Sequence, residues 1–176
     1  MTRIGFAAAL LLCSVGISAT PARAQVPERA DPSLAADDLA PLIRSLFATI
    51  EMLSDYRAPV ATPPVFRLPQ HLLEAKICDE PCDVSAAYVP REGVYLAGNL
   101  DPVHEPVDRA ALLHELVHSL QQGHPKFARL AGCERERAKE QEAYAIQNAY
   151  LASIGSSKRV AFYDGDFDCG ARTPAR

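Results

Sequence analysis

Two histidines and a glutamate in this 176-residue chain follow the pattern HExxH, at His114, Glu115 and His118. On a helix, residues four apart lie on the same face, so the two imidazoles can bind one metal ion together. A tetrahedral Zn²⁺ that is bound by these two imidazoles keeps positions for a third protein ligand and a water. Glu115 projects beside such a metal, where its carboxylate can take a proton from the zinc-bound water. The motif therefore predicts Zn²⁺ as the cofactor and a hydrolytic reaction.

The sequence around the motif predicts the helix that the spacing requires. Residues 109–122 contain neither Gly nor Pro, Asp108 can cap the start, and Gly123 followed by Pro125 can end it. Apolar side chains at helical spacing form a stripe for the core: Leu113, Leu116, Val117 and Leu120. An amphipathic helix with two ordinary histidines is the plain alternative, but it leaves Glu115 without a role.

The third metal ligand decides the class of site, and His124 is one candidate. It lies six residues after His118, as does the last histidine of H-E-x-x-H-x-x-G-x-x-H, the metzincin pattern. That pattern needs a glycine where this chain has Gln121, and a methionine after the motif, where this chain has none. The sequence therefore disfavours a metzincin site.

A glutamate on the next predicted helix, about residues 134–151, is the other candidate. Here the chain resembles the gluzincins, HExxH metallopeptidases whose third zinc ligand is a Glu of a following helix. The resemblance rests on the HExxH motif and on Glu140-Gln141-Glu142-Ala143-Tyr144, which is similar to the family's E-x-x-A-D or E-x-x-x-D box. It implies Glu140 as the ligand, Ala143 as the small residue that lets the helices approach, and Tyr144 in place of an Asp that supports a zinc histidine.

Glu142 stays open as the alternative third ligand. Glu140 is preferred because it shares a helical face with Ala143, Tyr144 and Gln147. The resemblance also implies the fold: one α+β zincin-like domain, with a small antiparallel or mixed sheet packed on the HExxH helix and a following glutamate-bearing helix.

The N-terminus has the features of a secretory signal peptide. Arg3 is followed by an apolar stretch over residues 4–17, and Ala22-Arg23-Ala24 offers an A-x-A cleavage site. The predicted organisation is therefore a signal peptide at 1–24, a flexible lead-in at 25–36 and the zincin-like domain at 37–176. The mature protein should be exported, periplasmic or extracellular, without membrane insertion.

Composition limits the partners and the redox state. The chain carries 18 Lys and Arg against 22 Asp and Glu, and loss of Arg3 and Arg23 with the signal lowers the net charge from −4 to −6. This acidic balance disfavours nucleic acid as a partner. An even number of cysteines in an exported chain predicts two disulfides with three possible pairings, among Cys78, Cys82, Cys133 and Cys169.

The remaining pattern predicts the scaffold of the site. Residues 37–53 have apolar positions at helical spacing, whereas 65–77 are ambiguous between strand and helix. Two β-rich runs at 84–89 and 94–97 predict a hairpin, and 160–163 are strand-like. A hairpin strand near the HExxH helix is either plain sheet structure or an edge along which an extended peptide can bind as a further strand.

The predicted function is that of a zinc metallopeptidase, active as a monomer on a peptide or protein substrate. Four side chains are candidates to stabilise the oxyanion of the reaction: His104, Tyr144, Tyr150 and Tyr163. Two alternatives remain open, because a metal site does not fix the substrate. One is a non-enzymatic exported metal-binding module, and the other is a hydrolase of non-peptide amides or esters.

Overall fold

The computed structural model describes residues 36–163 and Cys169. The helices are α1 (Ala40–Leu53), α2 (Gln70–Ile77), α3 (Pro106–Gln121) and α4 (Gly132–Ser153), and the strands are β1 (Val65–Leu68), β2 (Ala86–Val89) and β3 (Gly93–Ala97). Short 3₁₀ turns lie at Asp37–Leu39 and Pro125–Phe127. The signal peptide predicted at 1–24, and the lead-in except Ala36, lie outside the described residues.

The three strands form one small mixed sheet with the order β1-β3-β2. The parallel pair β1 and β3 has Val65 opposite Val94, and the antiparallel pair β2 and β3 has Ala87 opposite Tyr95. The predicted hairpin is thus confirmed. Its second strand begins at Gly93, where φ is +138° and a Cβ atom would lie 2.3 Å from the carbonyl oxygen of Pro64, so only glycine fits.

Side chains of β1 and β3 alternate between two apolar layers, as the two-residue period of a strand dictates. Val65, Val94 and Leu96 face the main core, which they share with apolar residues of α1, α3 and α4. On the other face, Tyr95 packs with Leu73 of α2 in a smaller core. Helix α3, which carries the HExxH motif, is therefore packed against the sheet and between two long helices. The molecule has the mixed α+β organisation that the sequence predicts.

The segment that the sequence leaves ambiguous, 65–77, contains both elements. β1 ends at Leu68 and α2 begins at Gln70, with Pro69 between them. Pro69 has an extended backbone, with φ −51° and ψ 142°. Its ring fixes φ, and it lacks the N–H that a continuing strand ladder would use. One proline therefore divides a short apolar run into a strand and a helix.

Two local predictions are wrong. Helix α3 begins at Pro106 rather than after Asp108, because proline suits the first helical position. The Asp108 carboxylate accepts a hydrogen bond from the backbone N–H of Asp101 instead of capping the helix. The tail at 160–163 is irregular rather than a strand. The Asn148 side chain of α4 bonds both the N–H and the carbonyl of Val160, which holds the tail against α4.

Two disulfides join the cysteines as Cys78–Cys82 and Cys133–Cys169. The first closes a short loop that follows the end of α2, and the second joins the start of α4 to the C-terminal tail. Disulfides form and persist in oxidising environments, so this pairing agrees with export. In the part of the chain that the structure describes, no helix has the length and apolarity needed to span a bilayer.

Candidate metal centre

Helices α3 and α4 pack against each other and bring three side chains of the predicted site together. The Nε2 atoms of His114 and His118 lie 3.0 Å apart. The two carboxylate oxygens of Glu140 lie 3.2 Å from Nε2 of His114 and 3.1 Å from Nε2 of His118. Within the described residues, these three form the group of His, Cys, Asp and Glu side chains whose donor atoms are close enough to share a metal ion.

The spacing of these donor atoms fits a tetrahedral metal. Zinc binds imidazole nitrogen and carboxylate oxygen at about 2.0–2.2 Å, and a tetrahedron of that size has ligand atoms roughly 3.3–3.6 Å apart. The observed separations of 3.0 to 3.2 Å are only slightly shorter. His114 is buried and the Glu140 side chain is 30% exposed, so one side of the group is open to solvent. The three side chains therefore fit a metal with an accessible fourth position.

Glu142, the alternative third ligand, lies outside this group. Its Oε2 atom accepts hydrogen bonds from the hydroxyl of Tyr56 at 2.5 Å and from the side-chain amide of Gln121 at 3.1 Å, and its Oε1 atom is bonded to Lys126. Two residues along a helix rotate a side chain by about 200°, so Glu140 and Glu142 cannot face the same neighbour. Glu142 instead links α4 to the chain segments that contain Tyr56 and Lys126.

His124, the candidate of the metzincin pattern, is also outside the group. Its ring packs edge-on against Tyr56, with the ring centroids 5.0 Å apart, and its Nδ1 atom accepts a hydrogen bond from the backbone of Lys126. The chain turns at Gly123, with φ +72°, two residues later than the glycine of the metzincin pattern. That displacement places His124 beside Tyr56, away from the histidines of α3.

The Nδ1 atoms of both metal-site histidines bond glutamine side chains. Nδ1 of His118 lies 2.8 Å from Oε1 of Gln121, and Nδ1 of His114 lies 3.0 Å from Oε1 of Gln147. Both glutamines are buried. Tyr144, which the family resemblance places at the supporting position, packs edge-on against the His114 ring with the centroids 4.5 Å apart.

The roles of these glutamines were not predicted from the sequence. Gln121 lies three residues after His118 and shares a helical face with it, and Gln147 lies seven residues after Glu140 on the face of α4 that carries this glutamate. A glutamine on the buried face of a helix needs a hydrogen-bond partner. That combination of spacing and polarity was the available signal.

Glu115 lies where helix α3 meets the edge strand β2. It is buried, and its Oε2 atom accepts a hydrogen bond of 2.7 Å from the backbone N–H of Tyr88 in β2. The bond fixes the carboxylate between α3 and the open edge of the sheet. Glu115 adjoins the metal group without being part of it, as a base needs to be.

A cleft with two connected parts exposes the metal group and Glu115. One part, of about 460 Å³, is mainly apolar, with walls that include Ile77, Val84, Val107, Ala111 and Val160. The other, of about 420 Å³, is more polar, with walls that include Tyr88, Gln122, Glu136, Lys139 and Glu140. His114, Glu115 and Tyr144 line both parts, whereas His118 and Glu140 line the more polar part alone.

The charges of the metal group stabilise one another when no metal is bound. Burial lowers the pKa of His118, but the hydrogen bond to Glu140 and the charges of Glu115 and Glu140 outweigh it and raise that pKa to about 8. Burial raises the pKa of Glu140, but its hydrogen bonds and charge interactions with the two histidines lower it to about 2. The metal-free centre therefore holds an imidazolium and a carboxylate near neutral pH.

This ion pair predicts how the stability of the metal-free protein depends on pH. The contribution of His118 is complete below pH 6.5, its ordinary pKa, and is lost as the pH rises through about 8; the contribution of Glu140 is present above 4.5 and is lost toward pH 2. We expect the free energy of unfolding, measured by urea titration in chelator, to fall between pH 6.5 and 8.5. His118→Gln should flatten this dependence, and a wild-type stability that rises over the same range would contradict it.

Comparison with models of known protein families, with curated proteins and with solved structures finds no match to this chain. The likeness to gluzincins therefore has two supports, the HExxH motif and the position of Glu140 beside it in space. These supports establish a group of side chains suited to binding a metal.

Proposed function

We propose that this protein is a zinc-dependent hydrolase of the gluzincin type that cleaves peptide bonds outside the cytoplasm, in the periplasm or the extracellular space. The observation that carries the proposal is the meeting of His114, His118 and Glu140 beside a buried carboxylate, Glu115, in an open cleft. Two imidazoles and one carboxylate are a ligand set of catalytic zinc sites, which keep a position for water. A purely structural zinc has no use for a base beside it.

The chain's own groups divide the work of hydrolysis. When bound, zinc would supply a Lewis acid that polarises the substrate carbonyl and acidifies a water. Glu115 takes the proton of the attacking water and later gives it to the leaving amine. The N–H of Tyr88 orients the Glu115 carboxylate for both transfers. His114, His118 and Glu140 hold the metal, and their burial in the α3–α4 interface fixes its position.

Strand β2 offers a backbone edge along which an extended substrate can bind. The carbonyl of Ser85 accepts a bond from the N–H of Ala97, so in an antiparallel ladder the backbone groups of Ser85 and Ala87 face β3. Those of Ala86 and Tyr88 then face the opposite way, as the bond from Tyr88 to Glu115 shows. Ala86 also lines both parts of the cleft, which supports pairing of a peptide with this edge.

Tyr144 is the best placed of the four candidate oxyanion donors. It lines both parts of the cleft and contacts the His114 ring. Tyr150 is buried in the main core, whereas His104 and Tyr163 are exposed and His104 bonds Asp101. We therefore assign to Tyr144 the hydrogen bond that stabilises the developing oxyanion.

We expect one zinc ion per chain and cleavage of a mixed peptide library by the zinc-loaded mature protein. The measurements are metal content by mass spectrometry, and fragment analysis of the library with zinc-loaded and chelator-treated protein. Zinc binding without cleavage of the peptide library or of amide and ester substrates would instead support a non-enzymatic metal-binding module. Absence of zinc even after its addition would overturn the metal site itself.

A further inference from the structure

The Nδ1 atoms of both histidines of the metal centre bond uncharged glutamine side chains rather than carboxylates. We infer that Gln121 and Gln147 are positioning residues that orient the two ligand histidines with neutral amide oxygens, so that within the group of His114, His118 and Glu140 the negative charge comes from Glu140 alone. This inference rests on the proposed function. Beyond that function, the two glutamines tune the affinity of the site for the metal and the Lewis acidity of the bound metal.

The Gln121 side chain has one orientation that satisfies its surroundings. Its Nε2 atom donates 2.9 Å to the carbonyl of Lys139 and 3.1 Å to the carboxylate of Glu142. Both neighbours accept hydrogen bonds and cannot donate them, so the amide nitrogen must point to them and Oε1 must point to His118. His118 must then carry a hydrogen on Nδ1, which leaves the lone pair of Nε2 for a metal.

Gln147, on α4, likewise presents its Oε1 atom to Nδ1 of His114 on α3. Nε2 of His114 faces His118 and Glu140, so Nδ1 is the atom left to donate, 3.0 Å from Oε1 of Gln147. Gln147 is only 4% exposed and Gln121 only 1%. Glutamine is seldom so deeply buried, because its amide must then find partners inside the protein. Two such residues, one behind each ligand, indicate a shared role beyond the packing of α3 against α4.

A neutral acceptor affects the metal differently from a carboxylate. A carboxylate behind a ligand histidine draws its Nδ1 proton strongly and makes the imidazole a better donor, which tightens metal binding. An amide oxygen orients the ring equally well but adds no negative charge. The metal then keeps more of its positive charge, which polarises a carbonyl more strongly and costs affinity. The pair of glutamines thus favours Lewis acidity over retention of the metal.

Substitution of Gln147 separates orientation from charge. Gln147→Leu removes the acceptor, and we expect about 10–100-fold weaker zinc binding. Gln147→Glu keeps the acceptor and adds the charge, and we expect zinc binding tighter than that of the wild type, by up to about tenfold. The same two changes at Gln141, an exposed position on the same helix, are the matched controls and should leave the affinity unchanged.

The measurement is the zinc dissociation constant of each full-length mature variant by chelator competition at one pH, with thermal unfolding of each metal-free form beside it. Gln147→Leu within about twofold of the wild type, or Gln147→Glu as weak as Gln147→Leu, would overturn the inference while the proposed function stands. If Gln147→Leu does not fold, the affinity of Gln147→Glu decides. A wild type that binds no zinc would overturn the proposed function and the inference together.

Discussion

Replacing Glu115 with Gln is expected to lower kcat for peptide cleavage by about 10²–10⁴-fold, the usual contribution of a general base, while the protein keeps one zinc per chain. Gln has the size of Glu and can still accept the hydrogen bond from the N–H of Tyr88, so the contact between α3 and β2 survives. The amide cannot take a proton from water at neutral pH. Steady-state kinetics and metal content on the same preparation measure both parts.

The matched control is Glu134→Gln, which makes the same chemical change at an exposed position of α4. It should leave both turnover and zinc content unchanged. An unchanged kcat in Glu115→Gln would contradict the role of Glu115 as base. Loss of zinc in Glu115→Gln would indicate that the residue holds the metal, in conflict with the separation of its carboxylate from the donor group of His114, His118 and Glu140.

The parts of the site that depend on one helix could be predicted from sequence. His114 and His118 are four residues apart, so helical geometry alone places them together. Glu140 comes from another helix, and its approach depends on the α3–α4 contact, where Ala143 is fully buried. The family resemblance supplied that contact, which no spacing within one segment could give. The structure then separates Glu140 from Glu142 by the direction in which each faces.

Two of the supporting contacts, made by Gln147 and by the N–H of Tyr88, could not be predicted because each joins residues that are far apart in sequence. Gln147 meets His114 across 33 positions, and the N–H of Tyr88 meets Glu115 across 27. Tyr144 occupies the position that the resemblance gives to a supporting Asp, yet it contacts His114 through its ring, and Gln147 provides the hydrogen bond. The helix start shows a similar limit: Asp108 suits a cap by type, but Pro106 fixes the first turn before it.

Glu140→Gln and Glu142→Gln make the same change two residues apart, and we expect the first to weaken zinc binding and the second to lower stability. Glu140→Gln removes the only carboxylate of the metal group, and we expect at least about 100-fold weaker zinc binding, beyond the usual effect of an outer partner. Glu142→Gln should stay within about tenfold in zinc affinity, since it reaches His118 only through Gln121. Chelator competition measures both dissociation constants.

The effect expected of Glu142→Gln is instead on stability. Burial raises the pKa of Glu142, but its hydrogen bonds from Lys126, Tyr56 and Gln121 outweigh it and lower that pKa, so the ionised carboxylate is the form that links these residues. A neutral amide weakens these bonds, and we expect the free energy of unfolding of the metal-free protein to fall by about 1–2 kcal/mol. Zinc retained by Glu140→Gln and lost in Glu142→Gln would reverse the assignment. Such a result would require α4 to rotate by about half a turn relative to α3, which would also break the bonds of both glutamines.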